Sequence, residues 1–65
     1  MTERIRQAIL AIIEQKRREG DVLPFATSIE VAHLLDISIH DVEKQAKNLH
    51  DVEKGKTSNY EYYYE

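Results

Sequence analysis

The chain has 65 residues with no Cys, no Trp, one Pro and two Gly, and nine Lys and Arg against twelve Asp and Glu give it a formal charge of −3. A chain this short builds a single domain over residues 1–65 that buries only about 60% of the surface its unfolded form exposes, which argues against a large enzyme pocket, and the absence of Cys excludes disulfides, thiolate zinc sites and a Cys nucleophile. The longest apolar run, residues 8–13, falls far short of the roughly 20 residues of a membrane span, and no charged-then-apolar leader opens the chain, so the expectation is a soluble, cytoplasmic domain with no membrane partner.

Ile5, Ala8, Ile9, Ile12 and Ile13 recur at the spacing that lines one face of a helix, which predicts a first helix over about residues 3–19. Thr2 is placed to cap it, Gly20 to stop it, and Arg4, Gln7, Glu14 and Arg18 lie on the opposite face. Lys16, Arg17 and Arg18 read as a solvated cluster favoured by the negative end of the helix. Residues 21–26 form a connector around Pro24, which pushes Leu23 toward extended geometry and leaves room for a very short strand. Thr27-Ser28-Ile29-Glu30 is then an S/T-x-x-E capping box, in which the Thr27 hydroxyl accepts the Glu30 amide and the Glu30 carboxylate returns to the Thr27 amide.

The second helix is expected over about residues 28–35, with Ile29, Ala32 and Leu35 inward and Val31 and Leu34 flanking them. Asp36-Ile37 makes a tight corner, because Asp tolerates the left-handed region better than most residues, and Ser38 supplies a new N-cap with Asp41 three residues on. A third helix over about residues 39–49 buries Val42, Ala46 and Leu49 and leaves Ile39, His40, Glu43, Lys44 and Lys47 largely off that stripe. The period then changes to two, predicting a β-hairpin over about residues 52–65 with its turn in Gly55 to Asn59 and Tyr60, Tyr62 and Tyr64 on one face.

The charge is unevenly placed. Residues 1–18 hold five basic side chains against two acidic, whereas residues 19–51 hold two against seven, so an anionic partner must find local basic patches.

Two short capped helices joined by a corner of about three residues and preceded by a longer helix make a helix-turn-helix, and with a hairpin following, the whole chain resembles a three-helix winged helix-turn-helix domain of the α+β class. Ala32 is the small residue where the two helices cross, Ile37 plugs the gap after the corner, and Val42 anchors the helix that follows. On these residues, from Thr27 to Val42, and on the order of elements over nearly all of the chain, the sequence resembles the small single-domain winged helix-turn-helix regulators of bacteria, phages and plasmids, including short fimbrial-operon regulators. Asp36 stands where that family usually has Gly, and the third helix is formally neutral on its open face, with Asp41 and Glu43 balancing Lys44 and Lys47.

The resemblance implies a transcriptional regulator that binds double-stranded DNA with its third helix in the major groove. His40, Lys44 and Lys47 then face base edges or phosphates, and Lys54 and Lys56 bracket Gly55 at the wing tip. Thr57, Ser58 and Asn59 add neutral donors there, and Ser28 offers a hydroxyl and an amide to a phosphate at the start of the second helix. The bland reading of Lys44 and Lys47 is solvated surface, paired with Glu43 or with Asp51 at i+4. His33, His40 and His50 lie 7 and 10 residues apart without a metal-ligand spacing, and no nucleophile elbow or phosphate-cradling Gly loop is present, so neither a metal, a cofactor nor an enzymatic activity is expected.

The four Tyr admit two readings, a sheet face that covers the helices or an aromatic strand that pairs with a second copy or a partner. The first helix is another surface on which a homodimer or a protein partner fits. The alternative to DNA binding is accordingly a protein-interaction module of the same fold that binds another regulator.

Overall fold

The computed structural model describes the backbone of residues 2–56 and 60–64, and the side chains of these except 53, 56 and 60–64. The chain is α+β. Three helices, α1 (Thr2–Arg18), α2 (Ser28–Leu35) and α3 (Ile39–Ala46), stand with three strands, β1 (Ala26–Thr27), β2 (Val52–Lys56) and β3 (Tyr60–Tyr64). The strands form one antiparallel sheet in the order β1-β3-β2, with Ala26 opposite Tyr62 and Val52 opposite Tyr64. The packing of Tyr60, Tyr62 and Tyr64 lies outside the described side chains, as do Thr57, Ser58 and Asn59 altogether.

The core is aliphatic. Ile5, Ile9 and Ile13 from α1 meet Val31 and Ala32 from α2, Val42 and Ala46 from α3, and Ala26, Leu49 and Val52, all buried. Each large aliphatic side chain removed from water in this way contributes about 1.5–3 kcal/mol. Ile12, Leu35 and Ile37 pack against this cluster while staying partly accessible, so Ile37 fills the space after the corner as its position suggests.

The helix ends follow from local chemistry. α1 stops where Gly20 takes φ +103°, a conformation that L side chains rarely adopt, and the Gly20 and Asp21 amides close back on the Arg17 and Lys16 carbonyls at 3.1 Å. Thr2 is the first residue of α1 rather than its cap, and its hydroxyl donates across the fold to Gln45 Oε1 at 2.7 Å, tying α1 to α3. The connector's strand forms at its far end, Ala26–Thr27, so that Thr27 closes β1 and caps α2 at once. Asp36 adopts φ 57°, ψ 48°, and the Ile37 amide donates to the Ala32 carbonyl at 3.0 Å, which turns the chain sharply into Ser38, the cap of α3.

Two expectations about the helices are corrected. The inward stripe of α2 is Ser28, Val31, Ala32 and Leu35, the i, i+3, i+4, i+7 series, whereas Ile29 is 45% exposed and Leu34 56%. A polar residue at the head of the stripe disguises it, and an apolar neighbour one position on draws the periodicity to the wrong register. The third helix ends at Ala46, not near residue 49: the amides of Asn48 and Leu49 bond three residues back to Gln45 and Ala46, tightening the last turn so that Leu49 still reaches the core.

Candidate nucleic-acid interface

Among the described residues each basic side chain is either tied into the fold or left to solvent, and the division defines the site. Lys16, expected in a solvated cluster, is largely withdrawn from water. Its ammonium donates to the Phe25 carbonyl at 2.7 Å and to Glu30 Oε1 at 2.9 Å, and it sits 5.1 Å from the centroid of the Phe25 ring. The same Glu30 oxygen accepts the Thr27 amide at 3.0 Å and the Thr27 hydroxyl at 3.1 Å, while that hydroxyl accepts the Glu30 amide at 3.2 Å. Burial pushes the Glu30 carboxyl up, but the Lys16 hydrogen bond, the Thr27 amide, the Lys16 charge and the Thr27 hydroxyl together outweigh it and hold the group below its ordinary value.

Arg6 is tied as well. Its Nε donates to Asp51 Oδ2 at 2.7 Å, joining α1 to the segment that follows α3, and the guanidinium also lies 3.6 Å from Glu3. The Arg6 hydrogen bond is the main reason that the Asp51 carboxyl lies below its ordinary value. Among the described residues Arg17 and Arg18 pair only with the exposed Glu14, at 3.5 and 3.8 Å, contacts of the kind that contribute little.

Lys54 is corrected in the same way. It stands on β2, not at a wing tip, and its ammonium donates to the carbonyls of Leu49 at 2.6 Å and Val52 at 3.1 Å. Ser28 is the other correction. It is completely buried, so its hydroxyl is not presented to a phosphate, and its Oγ has no hydrogen-bond partner among the described residues.

His40, Lys44 and Lys47 remain on the exposed side of α3 and the turn that follows it. The expected i+4 partner of Lys47, Asp51, is taken by Arg6, and among the described residues neither Lys44 nor Lys47 forms an ion pair or a side-chain hydrogen bond. Exposed Asp41, whose amide is capped by Ser38, and half-buried Glu43 lie on the same helix and keep its outer charge balanced. The side chain of Lys56 and the whole of Asn59 fall outside the described residues.

Of the nine expected contact residues, the fold thus brings His40, Lys44 and Lys47 together on α3 and the turn that follows it, withdraws Ser28 and ties back Lys54. Missed from sequence was a second exposed feature: Ile29 and Leu34 of α2 lie open beside Ala11 and Ile12 of α1. Its signal is present in the same residues, because correcting the stripe of α2 by one position turns both side chains outward.

Among the described residues no group of three His, Cys, Asp or Glu side chains is arranged to hold a metal ion, and no helix is long and apolar enough to cross a membrane. No family model, curated protein or solved structure matches the chain.

Proposed function

We propose that the chain is a DNA-binding regulator of transcription acting in the cytoplasm, a small winged helix-turn-helix in which α2 and α3 are the helix-turn-helix and β2 with β3 is the wing. The observation that carries this reading is the state of Lys44 and Lys47. They are the cations of α3 and of the turn that closes it, they are exposed, and of the two acids four positions from Lys47, Asp51 is committed to Arg6 and Glu43 forms no ion pair among the described residues. Cations kept free on the outer face of a capped helix suit phosphates and base edges in a major groove, with His40 one turn earlier as a further donor. With only two cations on this helix and its closing turn, and Asp41 and Glu43 beside them, binding is weak and its salt dependence shallow, about one unit of logarithmic slope per lysine contact.

Titration of duplex DNA followed by fluorescence anisotropy tests this. The expected result is binding whose logarithmic salt slope falls in magnitude by about 2 in the double variant Lys44→Ala, Lys47→Ala, one unit for each phosphate contact removed. An unchanged slope and affinity remove α3 from the contact surface.

A second reading, a protein-interaction module of the same fold, is favoured by the exposure of Ile29 and Leu34 and by the acids on α3. On that reading duplex DNA leaves Lys44 and Lys47 undisturbed even at low salt.

A further inference from the structure

Among the described residues the order β1-β3-β2 leaves β1 with a neighbouring strand on one side only. Along an extended chain the N–H and C=O of alternate residues turn to the same side, so Phe25 and Thr27 direct theirs away from those of Ala26, which lies between them. On that side the two backbone groups that flank Ala26 are taken by side chains. The Phe25 carbonyl accepts from Lys16 Nζ at 2.7 Å, and the Thr27 amide donates to Glu30 Oε1 at 3.0 Å. Lys16 comes from α1 and Glu30 from α2, and they meet each other at 2.9 Å.

In a parallel ladder, one residue of the neighbouring strand donates its amide to the carbonyl before a given residue and accepts, through its own carbonyl, from the amide after it. About Ala26 the Lys16 ammonium is that donor and the Glu30 carboxylate that acceptor. We propose that the Lys16–Glu30 pair occupies the place of a missing strand at the edge of β1, and that it thereby keeps this edge from pairing with a second copy of the chain. An uncovered edge is a template for its own kind, because it presents donors and acceptors together. Here a second copy also meets apolar side chains, since Val22 and Leu23, just before β1, are 91% and 84% exposed. The pair lines an open hollow with Ile12 and Leu34, so on that side it meets space rather than packed protein. At the opposite edge of the sheet a lysine again takes up a strand carbonyl, Lys54 donating to Val52 of β2.

Sedimentation equilibrium of the full chain tests this, with far-ultraviolet circular dichroism to establish that each variant is folded. Lys16→Met keeps the apolar length of the side chain beside Phe25 and removes the donor, while moving the net charge further from zero, which opposes association. It is expected to self-associate at a concentration about tenfold or more below that of the wild type. Glu30→Ala, which uncovers the Thr27 amide, does the same, and either variant carries the test if the other fails to fold. Glu30→Gln makes the same charge change as Glu30→Ala but keeps an acceptor for that amide, and stays as the wild type. Lys44→Met, matched in charge to Lys16→Met, also stays as the wild type. Leu23→Lys added to Lys16→Met sets a charge beside the edge and restores wild-type behaviour. In the wild type itself, the Thr27 amide exchanges with deuterium about tenfold or more slowly than the amides of exposed Val22 and Leu23. Folded Lys16→Met or Glu30→Ala chains that associate no more readily than the wild type overturn the proposal. So do a Lys44→Met or Glu30→Gln chain that matches them, an association that survives Leu23→Lys, or a Thr27 amide that exchanges as fast as that of Val22.

Discussion

Lys16 Nζ lies 2.9 Å from Glu30 Oε1, although 14 residues separate them, and the oxygen they share is the one that completes the cap of α2. A local device and a tertiary one therefore converge on a single atom. The capping box fixes where α2 starts, and the ammonium from α1, held also by the Phe25 carbonyl, fixes where that start sits against the first helix. Since α2 leads through Asp36 directly into α3, the orientation of the candidate interface depends on this junction.

Removing either half of the cap is expected to cost stability. Thr27→Ala loses about 1 kcal/mol, the usual value of an N-cap hydroxyl, and Glu30→Ala about 1–2 kcal/mol because it also releases Lys16. Urea unfolding followed by circular dichroism measures both. The double variant should be less destabilised than the two single losses combined, since the residues act as one unit.

The pH dependence follows from the same contacts. Glu30 and Asp51 have carboxyls held below their ordinary values of 4.5 and 3.8. A carboxyl whose folded pKa is depressed stabilises the fold fully above its unfolded value, and that contribution is lost as pH falls through the folded one. Stability is therefore expected to be level from neutral pH down to about 5 and to fall below it. Glu30→Gln, which cannot gain a proton there, flattens part of the fall, and urea midpoints measured across the acid range read the difference.

Ser28 gives a prediction of opposite sign. Its hydroxyl is fully buried without a partner among the described residues, so Ser28→Ala removes an uncompensated polar group and improves helix propensity. The variant is expected to be as stable as the wild type or more stable by up to about 1 kcal/mol. A loss larger than that shows that the hydroxyl is satisfied after all.

At the corner, Asp36 holds φ 57°, which strains any side chain with a Cβ. Asp36→Gly relieves that strain and is expected to raise stability by about 0.5 kcal/mol after the greater freedom of the unfolded chain is counted. Asp36→Val, branched at Cβ, should lower it, and thermal unfolding of the two variants gives the sign directly.

The parts of this fold that could be read from sequence are those decided by near neighbours. The Thr27–Glu30 box, the Ser38 cap, the left-handed corner at Asp36 and the stop at Gly20 each rest on residues within five positions of one another, and each stands where the spacing places it. The misread parts are decided at a distance. Arg6 meets Asp51 across 45 positions, Thr2 meets Gln45 across 43, and nothing in either local pattern distinguishes these side chains from solvated ones. Ser28 was misassigned because a serine at a helix start suits an anion in the absence of tertiary context, whereas here β1 and the first turn of α2 turn it into the core. Of the candidate site, the exposed lysines of α3 were legible because burying Val42 and Ala46 turns them outward, but that Lys47 lacks its i+4 partner depends on Arg6, in another helix.

The most direct test of the DNA reading is a map of amide chemical shifts on adding generic duplex DNA at low salt. Binding through α3 predicts perturbations concentrated at His40, Lys44, Lys47 and their neighbours, fading as salt is raised, with Ile12 and Leu34 unaffected. A map with no change on α3 at low salt contradicts it.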